Sequence, residues 1–200
     1  MRLPESAHSE HPWRIHEIAP DFVVEDVWKF RIPGAGRHDF PALLAAIQAE
    51  RTTESTGLSA LLFKVRWKLG ELFGWDRAQV TSLRDRLPTD LRDTATPVEN
   101  SPLTSLYVLD NEYAGEIANN TMHGIMHLSW VPDPTGYHLR MAVLVKPNGR
   151  LGRLYMAAIK PFRYTIIYPA ITRSWEQTWK DLATPTERRW IAFDRRRSTR

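Results

Sequence analysis

Two histidines four residues apart, His123 and His127 in the run HGIMH, have the spacing that brings two imidazoles to one zinc ion on a helix. The flanking residues alternate apolar and polar, which predicts a strand. At ~3.3 Å per residue the two rings then stand about 13 Å apart, too far to share a metal. The metalloprotease pattern also requires a glutamate directly after the first histidine, and Gly124 stands there. Solvated cross-strand histidines are the expectation, with no metal site and no cofactor. Asp21, Glu25 and Asp26 form a second group, in which one desolvated carboxylate could act as a general base. A solvated strand edge is the simpler reading. The chain has no G-x-S-x-G turn and no phosphate-binding loop, and Gly34-Ala35-Gly36 lacks the third glycine of a dinucleotide fingerprint. Zero cysteines exclude a thiol nucleophile, a disulfide framework and a cysteine zinc site. No catalytic residue is assigned.

The elements that must position these groups can be read from periodicity. Phe22 to Ile32 is rich in β-branched and aromatic residues and ends at Pro33-Gly34, a strand signature. Asp39 offers an N-cap for a helix through about Glu50, and apolar residues from Leu58 to Phe73 recur at helical spacing. Residues 76–102 read as a short helix or turn pieces and then a loop. From Leu103 to Val145 the period becomes alternating, with turn signals at Asp110-Asn111, Asn119-Asn120 and Asp133 to Gly136, which predicts a four-strand antiparallel meander.

Two-residue turns at the first two sites predict a register in which Tyr113 faces Met126, Met126 faces Met141 and Gly115 faces Gly124. Two abutting glycines leave a notch in a bulky apolar face, and Met122, Met126 and Met141 around it suit an adaptable pocket. An aromatic side chain from the final helix filling the notch is the alternative. The opposite face of this register pairs Glu112 with His127, Glu116 with His123, His138 with Ser129 and Arg140 with His127. That face reads as polar and solvated.

Gly149 to Trp179 reads as one long helix that carries Pro161 and Pro169. An internal proline costs about 3 kcal/mol, so packing outside the segment must hold it. A break near Lys160 and a kink at Pro169 are expected. Leu151, Leu154, Tyr155, Ala158, Ile159, Phe162 and Ile166 form the face to be buried against the sheet. Arg153, Lys160 and Arg163 form a basic stripe expected in solvent, with contact to a carboxylate or phosphate head group as the alternative.

Two hundred residues with 42% hydrophobic content fit one domain and one core. Residues 1–12 read as a flexible N-terminus without signal-peptide character, 13–182 as the domain, and 183–200 as a basic, disordered tail. The tail's six arginines against Glu187 and Asp194 give a surplus equal to the whole chain's +4, so the rest is neutral overall and specific nucleic-acid binding is not expected. Weak contact of the tail with an anionic membrane surface is the open alternative. No stretch approaches the ~20 apolar residues of a membrane span. The absence of cysteine fits a cytoplasmic location.

A strand, two helices, a meander and a long C-terminal helix make the helix-grip order, an α+β fold. On that order, and on HPWRIHEIAPDFVVEDVWKFRIPG, HGIMHLSW and MAVLVKPNGRLGRLYMAAIKPFRYTIIYPA, the chain resembles the START-like superfamily of polyketide-cyclase-like and lipid-transfer proteins. It is most similar to an uncharacterised bacterial family within it. The resemblance implies a cavity between a concave sheet and the long helix. It supplies no catalytic residues. The leading expectation is a non-catalytic site for a hydrophobic or lipid-like small molecule, lined by Tyr113, Gly115, Met122, Gly124, Met126, Met141, Tyr155, Ile159 and Phe162. One alternative is a cyclase-like or isomerase-like enzyme with a buried carboxylate or tyrosine. The other is a plugged domain that docks a protein or a second copy through a ridge at Ile167, Ile171, Trp175 and Trp179.

Overall fold

The computed structural model describes residues 1–53, 82–95, 103–118 and 122–183. Strand β1 (Arg2–Leu3) and the short helices α1 (Ser6–Ser9) and α2 (Ile15–Ile18) precede β2 (Val23–Phe30) and α3 (Phe40–Thr53). A 3-10 turn (Leu83–Arg86) leads to β3 (Thr104–Val108), β4 (Glu112–Ala118), β5 (Met122–Asp133) and β6 (Gly136–Pro147). Helix α4 (Gly149–Phe162), a π turn (Arg163–Ile167) and α5 (Tyr168–Ala183) complete the order. The strands make one antiparallel sheet in the order β1-β2-β6-β5-β4-β3, packed against the C-terminal helix, which is the expected α+β helix-grip architecture. The helix expected at Leu58–Phe73 and nearly all of the basic tail lie outside the described residues. Residues 1–12 are not a loose arm: β1 pairs with β2, and His8 is fully buried.

The meander has the expected strands and faces, but its register differs by two residues. Val108 does face Tyr113. Tyr113 then faces Leu128 instead of Met126, and Met126 faces Val143 instead of Met141. Gly115 therefore opposes Met126, while Gly124 opposes Ile117, and the glycines do not abut. The β5–β6 connection is tighter than expected because Asp133 Oδ1 accepts both the Thr135 N–H (2.9 Å) and hydroxyl (2.8 Å), letting Asp133 pair directly with Gly136. A slip of two preserves which face each side chain occupies, so the apolar face survives the correction.

Both faces of the sheet are covered. On one, Phe30, Tyr113, Leu128, Trp130, Leu139 and Met141 pack with α3 and with Tyr168, Trp175 and Trp179 of α5. Trp175 stacks obliquely on Phe30 at 4.9 Å, and the Trp179 indole N–H donates to the Pro33 carbonyl. Trp175 and Trp179 are thus core residues, not an exposed docking ridge. On the other face, Tyr107, Ala114, Ile125, Ala142 and Leu144 pack under Trp13, Ile15, Ile18 and Phe22 and under Leu83, Leu87 and Leu91. This corrects the expectation of a solvated polar face: Glu112, Glu116, His123, His127, Ser129, His138 and Arg140 are all buried there. Alternation alone cannot reveal a second covering layer made of short helices and turns.

The C-terminal segment does not break near Lys160. Helix α4 runs through Pro161, and the irregularity is the π turn at Arg163–Ile167, where the Tyr168 N–H bonds the Arg163 carbonyl. A proline ring clashes with the carbonyl four residues earlier, which for Pro169 is Thr165; the wider turn relieves that conflict. The Thr165 hydroxyl donates to the Pro161 carbonyl at 2.9 Å. Leu154 and Ala158, expected in the buried face, are exposed, Leu154 at 68%, while Met156 is buried instead.

Candidate functional site

A β-bulge in β2 decides where the acidic cluster points. Val24 pairs with Leu144 and Asp26 with Val143, leaving Glu25 as the extra residue. Val24 packs with the N-terminal layer, whereas Val143 belongs to the layer beneath α5. The bulge therefore turns Asp26 toward the helix, a device that recurs where a strand must re-aim one side chain. Asp26 is 1% exposed. Its carboxylate accepts hydrogen bonds from the hydroxyls of Tyr164 and of Tyr168 (2.7 Å), and Arg163 Nη1 lies 3.3 Å away. Arg163 also donates to Glu25 at 2.9 Å, and Arg2 stands 3.9 Å from Asp26 while stacking over the Tyr164 ring. Asp21 is not part of this group, since it pairs with Arg86 and Lys146 at the surface.

The π turn supplies three of these partners at once, bringing Arg163, Tyr164 and the following Tyr168 onto β2; such turns recur at functional sites. Burial, then the bond to Asp26, pushes the Tyr164 phenol up to about 12. Burial and the facing Asp26 charge also raise the Tyr168 phenol. Both hydroxyls stay protonated at neutral pH and act as donors. Burial opposes the charge on Arg163, but Tyr168, Asp26 and Glu25 outweigh it and raise its pKa. Arg163, expected in solvent, is thus a buried partner of carboxylates. A cleft of about 490 Å³, lined by Arg2, Leu3, Pro4, Glu5, Glu25, Asp26 and Val27, opens beside the cluster.

The register extends one row across the sheet from Asp26 to Val143, Met126 and Gly115. Val143 and Met126 are half-buried, whereas the next row, Met141, Leu128 and Tyr113, is closed. Gly124 and half-buried Met122 flank the open row on its other side, and Tyr155, Ile159 and Phe162 of α4 are half-buried. Space at the glycines is taken from within the sheet. A Cβ on Gly115 would lie 2.6 Å from the Tyr113 hydroxyl, and one on Gly124 would lie 3.0 Å from the Met122 methyl. Tyr113, which bonds Ser105 at 3.3 Å, is the aromatic plug at Gly115, in place of any residue of the final helix.

The opposite layer holds a second polar network. His123 Nε2 lies 2.8 Å from Glu116, which also accepts from Ser82 and the Leu83 N–H. His127 Nε2 lies 3.2 Å from Glu112, and its Nδ1 lies 3.0 Å from His8 Nε2. Glu112 also accepts from Tyr107 and from the Arg14 N–H. Both expected His–Glu pairs are made, though diagonally, because Glu112 faces Ser129 and Glu116 faces Ile125. Burial lowers the His127 pKa and brings His8 down to about 2. Among the described residues no cluster of three or more His, Asp or Glu is placed to hold a metal.

Sequence reasoning missed Tyr164, Tyr168 and Arg2. The signal was present in the strict alternation of Asp26, Trp28 and Phe30, which puts the carboxylate on the aromatic face, and in two tyrosines four apart between the prolines. No helix among the described residues is long and apolar enough to cross a membrane. Neither curated proteins nor solved structures give a match to the chain. A family model described as a protein of unknown function, DUF2867, matches residues 18–170, a span from the end of α2 to the first residues of α5 that takes in Asp26, Arg163, Tyr164 and Tyr168. With that span covering most of the helix-grip sheet and the Asp26 cluster, the chain belongs to the DUF2867 family.

Proposed function

We propose that the protein binds an amphipathic small molecule or lipid between the sheet and the C-terminal helix. The apolar body lies along Val143 and Met126 and the polar end meets Asp26 and Tyr164. The observation that carries this reading is the row from Asp26 to Gly115: one carboxylate, held by two phenols and a guanidinium, at the end of a half-buried apolar track. Small-molecule sites are mostly apolar with a few placed polar groups, and methionine repacks around variable partners. Met122, Gly124, Tyr155, Ile159 and Phe162 supply the flanks of the track, while Met141 and Tyr113 form its closed side. Titration with a fluorescent fatty-acid analogue tests it: saturable binding weakened at least tenfold in Met126→Trp is expected, and equal binding by both proteins contradicts it.

A second reading rests on the same carboxylate. Asp26 would take a proton from a bound carbon or hydroxyl acid while neutral Tyr164 donates to the developing oxyanion, as in an isomerase-like or cyclase-like enzyme. Solvent deuterium entering a bound ligand with wild type but not with Asp26→Asn is the expected result. Equal incorporation by both excludes Asp26 as the base.

A further inference from the structure

Among the described residues, the N-terminal layer holds a buried cation, Arg140, without an anion. Arg140 on β6 is 6% exposed, and its Nη1 donates to the Ala7 carbonyl of α1. Its Nε has no partner, and no carboxylate of the described residues lies within ion-pair distance. Buried charges are ordinarily paired, because an unpaired ion in a dry layer costs several kcal/mol. The neighbours compound the imbalance. Ser129, facing Arg140 across the strands, has a fully buried hydroxyl without a partner. His138, two residues along β6, has an unpartnered Nε2, and its Nδ1 lies 3.3 Å from Asp133 without hydrogen-bond alignment.

The nearby acids are engaged. Asp133 holds Lys29 and Thr135, and Glu112 holds His127, Tyr107 and the Arg14 N–H. The acceptors left bare here among the described residues, on Ser129, on neutral His138 and at His8 Nδ1, carry no charge: with Glu112 accepting from His127 Nε2–H, His127 accepts in turn from His8 Nε2–H, which leaves His8 Nδ1 as an acceptor. A neutral imidazole does not balance a guanidinium. We infer that Arg140, Ser129 and His138 form a binding site, under α1 and on the face opposite Asp26, for one small oxyanion group, a carboxylate or a phosphate. Arg140 offers the planar fork that both oxyanions match, and Ser129 and His138 offer further donors. Consistent with positive potential there, burial followed by Lys29 and Arg140 brings the His138 pKa down to about 4 despite Asp133.

The probes are inorganic phosphate and acetate, titrated against the full chain at constant ionic strength with chloride as reference. A saturable rise in Tm of roughly 5 °C at 100 times Kd is expected for one or both probes, and which one responds assigns the oxyanion class. Arg140→Gln and Ser129→Ala should each weaken it at least tenfold. If Arg140→Gln does not fold, Ser129→Ala and the His138 ring titration by NMR decide: a bound anion moves the His138 midpoint upward relative to chloride. Equal behaviour in phosphate, acetate and chloride, in both Tm and His138 midpoint, overturns the proposal. A rise that persists unchanged in Ser129→Ala, with His138 unmoved, also overturns it by placing the anion elsewhere.

Discussion

The Tyr168 hydroxyl donates a 2.7 Å hydrogen bond to Asp26, joining the first residue of α5 to a strand 142 positions earlier. The bulge at Glu25 and the π turn before Pro169 are both needed for that meeting: one re-aims the acceptor, the other re-aims the donors. The two irregularities in otherwise regular elements converge on one carboxylate.

Replacing that carboxylate should be costly. Asp26→Asn leaves buried Arg163 with Glu25 alone, and breaking a buried pair costs about 3 kcal/mol or more. Tyr168→Phe removes one donor of several and should cost about 1–2 kcal/mol. Urea denaturation ranks the two variants; Asp26→Asn as stable as wild type would mean that the cluster does not bind the helix to the sheet.

The glycines give unequal expectations at neighbouring strands. Gly115→Ala forces the Tyr113 ring off its place and its bond to Ser105, a cost of about 1–3 kcal/mol. At Gly124 the obstacle is the mobile end of Met122, so Gly124→Ala should change stability by less than about 1 kcal/mol. Thermal melts of the two variants check this, and equal losses would contradict the geometry.

How far the sequence carried can be seen in these same residues. The alternation of β3 to β6 fixes faces, because a side chain's face survives a two-residue slip; the identity of facing pairs does not. Asp133 was legible as a turn residue, but a turn signal does not say which flanking residues pair, and here Asp133 itself pairs with Gly136. The pairs Glu112–His127 and Glu116–His123 were legible as opposite charges, but their burial was not, since the layer above them comes from residues 6–22 and 83–91, which have no strong period. The face of Asp26 was legible from its alternation with Trp28 and Phe30, whereas the bulge that leaves Glu25 unpaired and the π turn that brings Arg163 and Tyr164 onto β2 have no mark in composition or period.

Acid should loosen the N-terminal layer. His8 and His138 have folded pKa values of about 2 and about 4, below the unfolded value near 6.5, and His127 is lowered too. The unfolded chain therefore binds more protons below pH 6.5, and stability falls as pH drops from about 6.5 toward 4, by about 1.4 kcal/mol per unit for each imidazole that stays neutral. Arg140, His16, Glu112 and Asp133 face these rings and set the balance. Unfolding free energies from urea denaturation should be lower at pH 5 than at pH 7 on that scale, with a lower urea midpoint, and His8→Gln should flatten the dependence. A pH-independent midpoint would contradict neutral, buried histidines.

Trp175 separates monomer packing from docking. It lies against Phe30 in the core, so Trp175→Ala should cost about 3–5 kcal/mol and leave the oligomeric state of the folded fraction unchanged. Light scattering together with denaturation checks this. A stable variant with altered association would place the residue in an interface.

Native mass spectrometry of gently purified protein, followed by solvent extraction, tests the proposed site most directly. Wild type should carry an amphipathic small molecule that is lost in a folded Met126→Trp variant, whose indole fills the track beside Val143. Wild type without any bound molecule and without saturable uptake of the fatty-acid analogue, or a Met126→Trp variant that carries the same molecule as wild type, would contradict it.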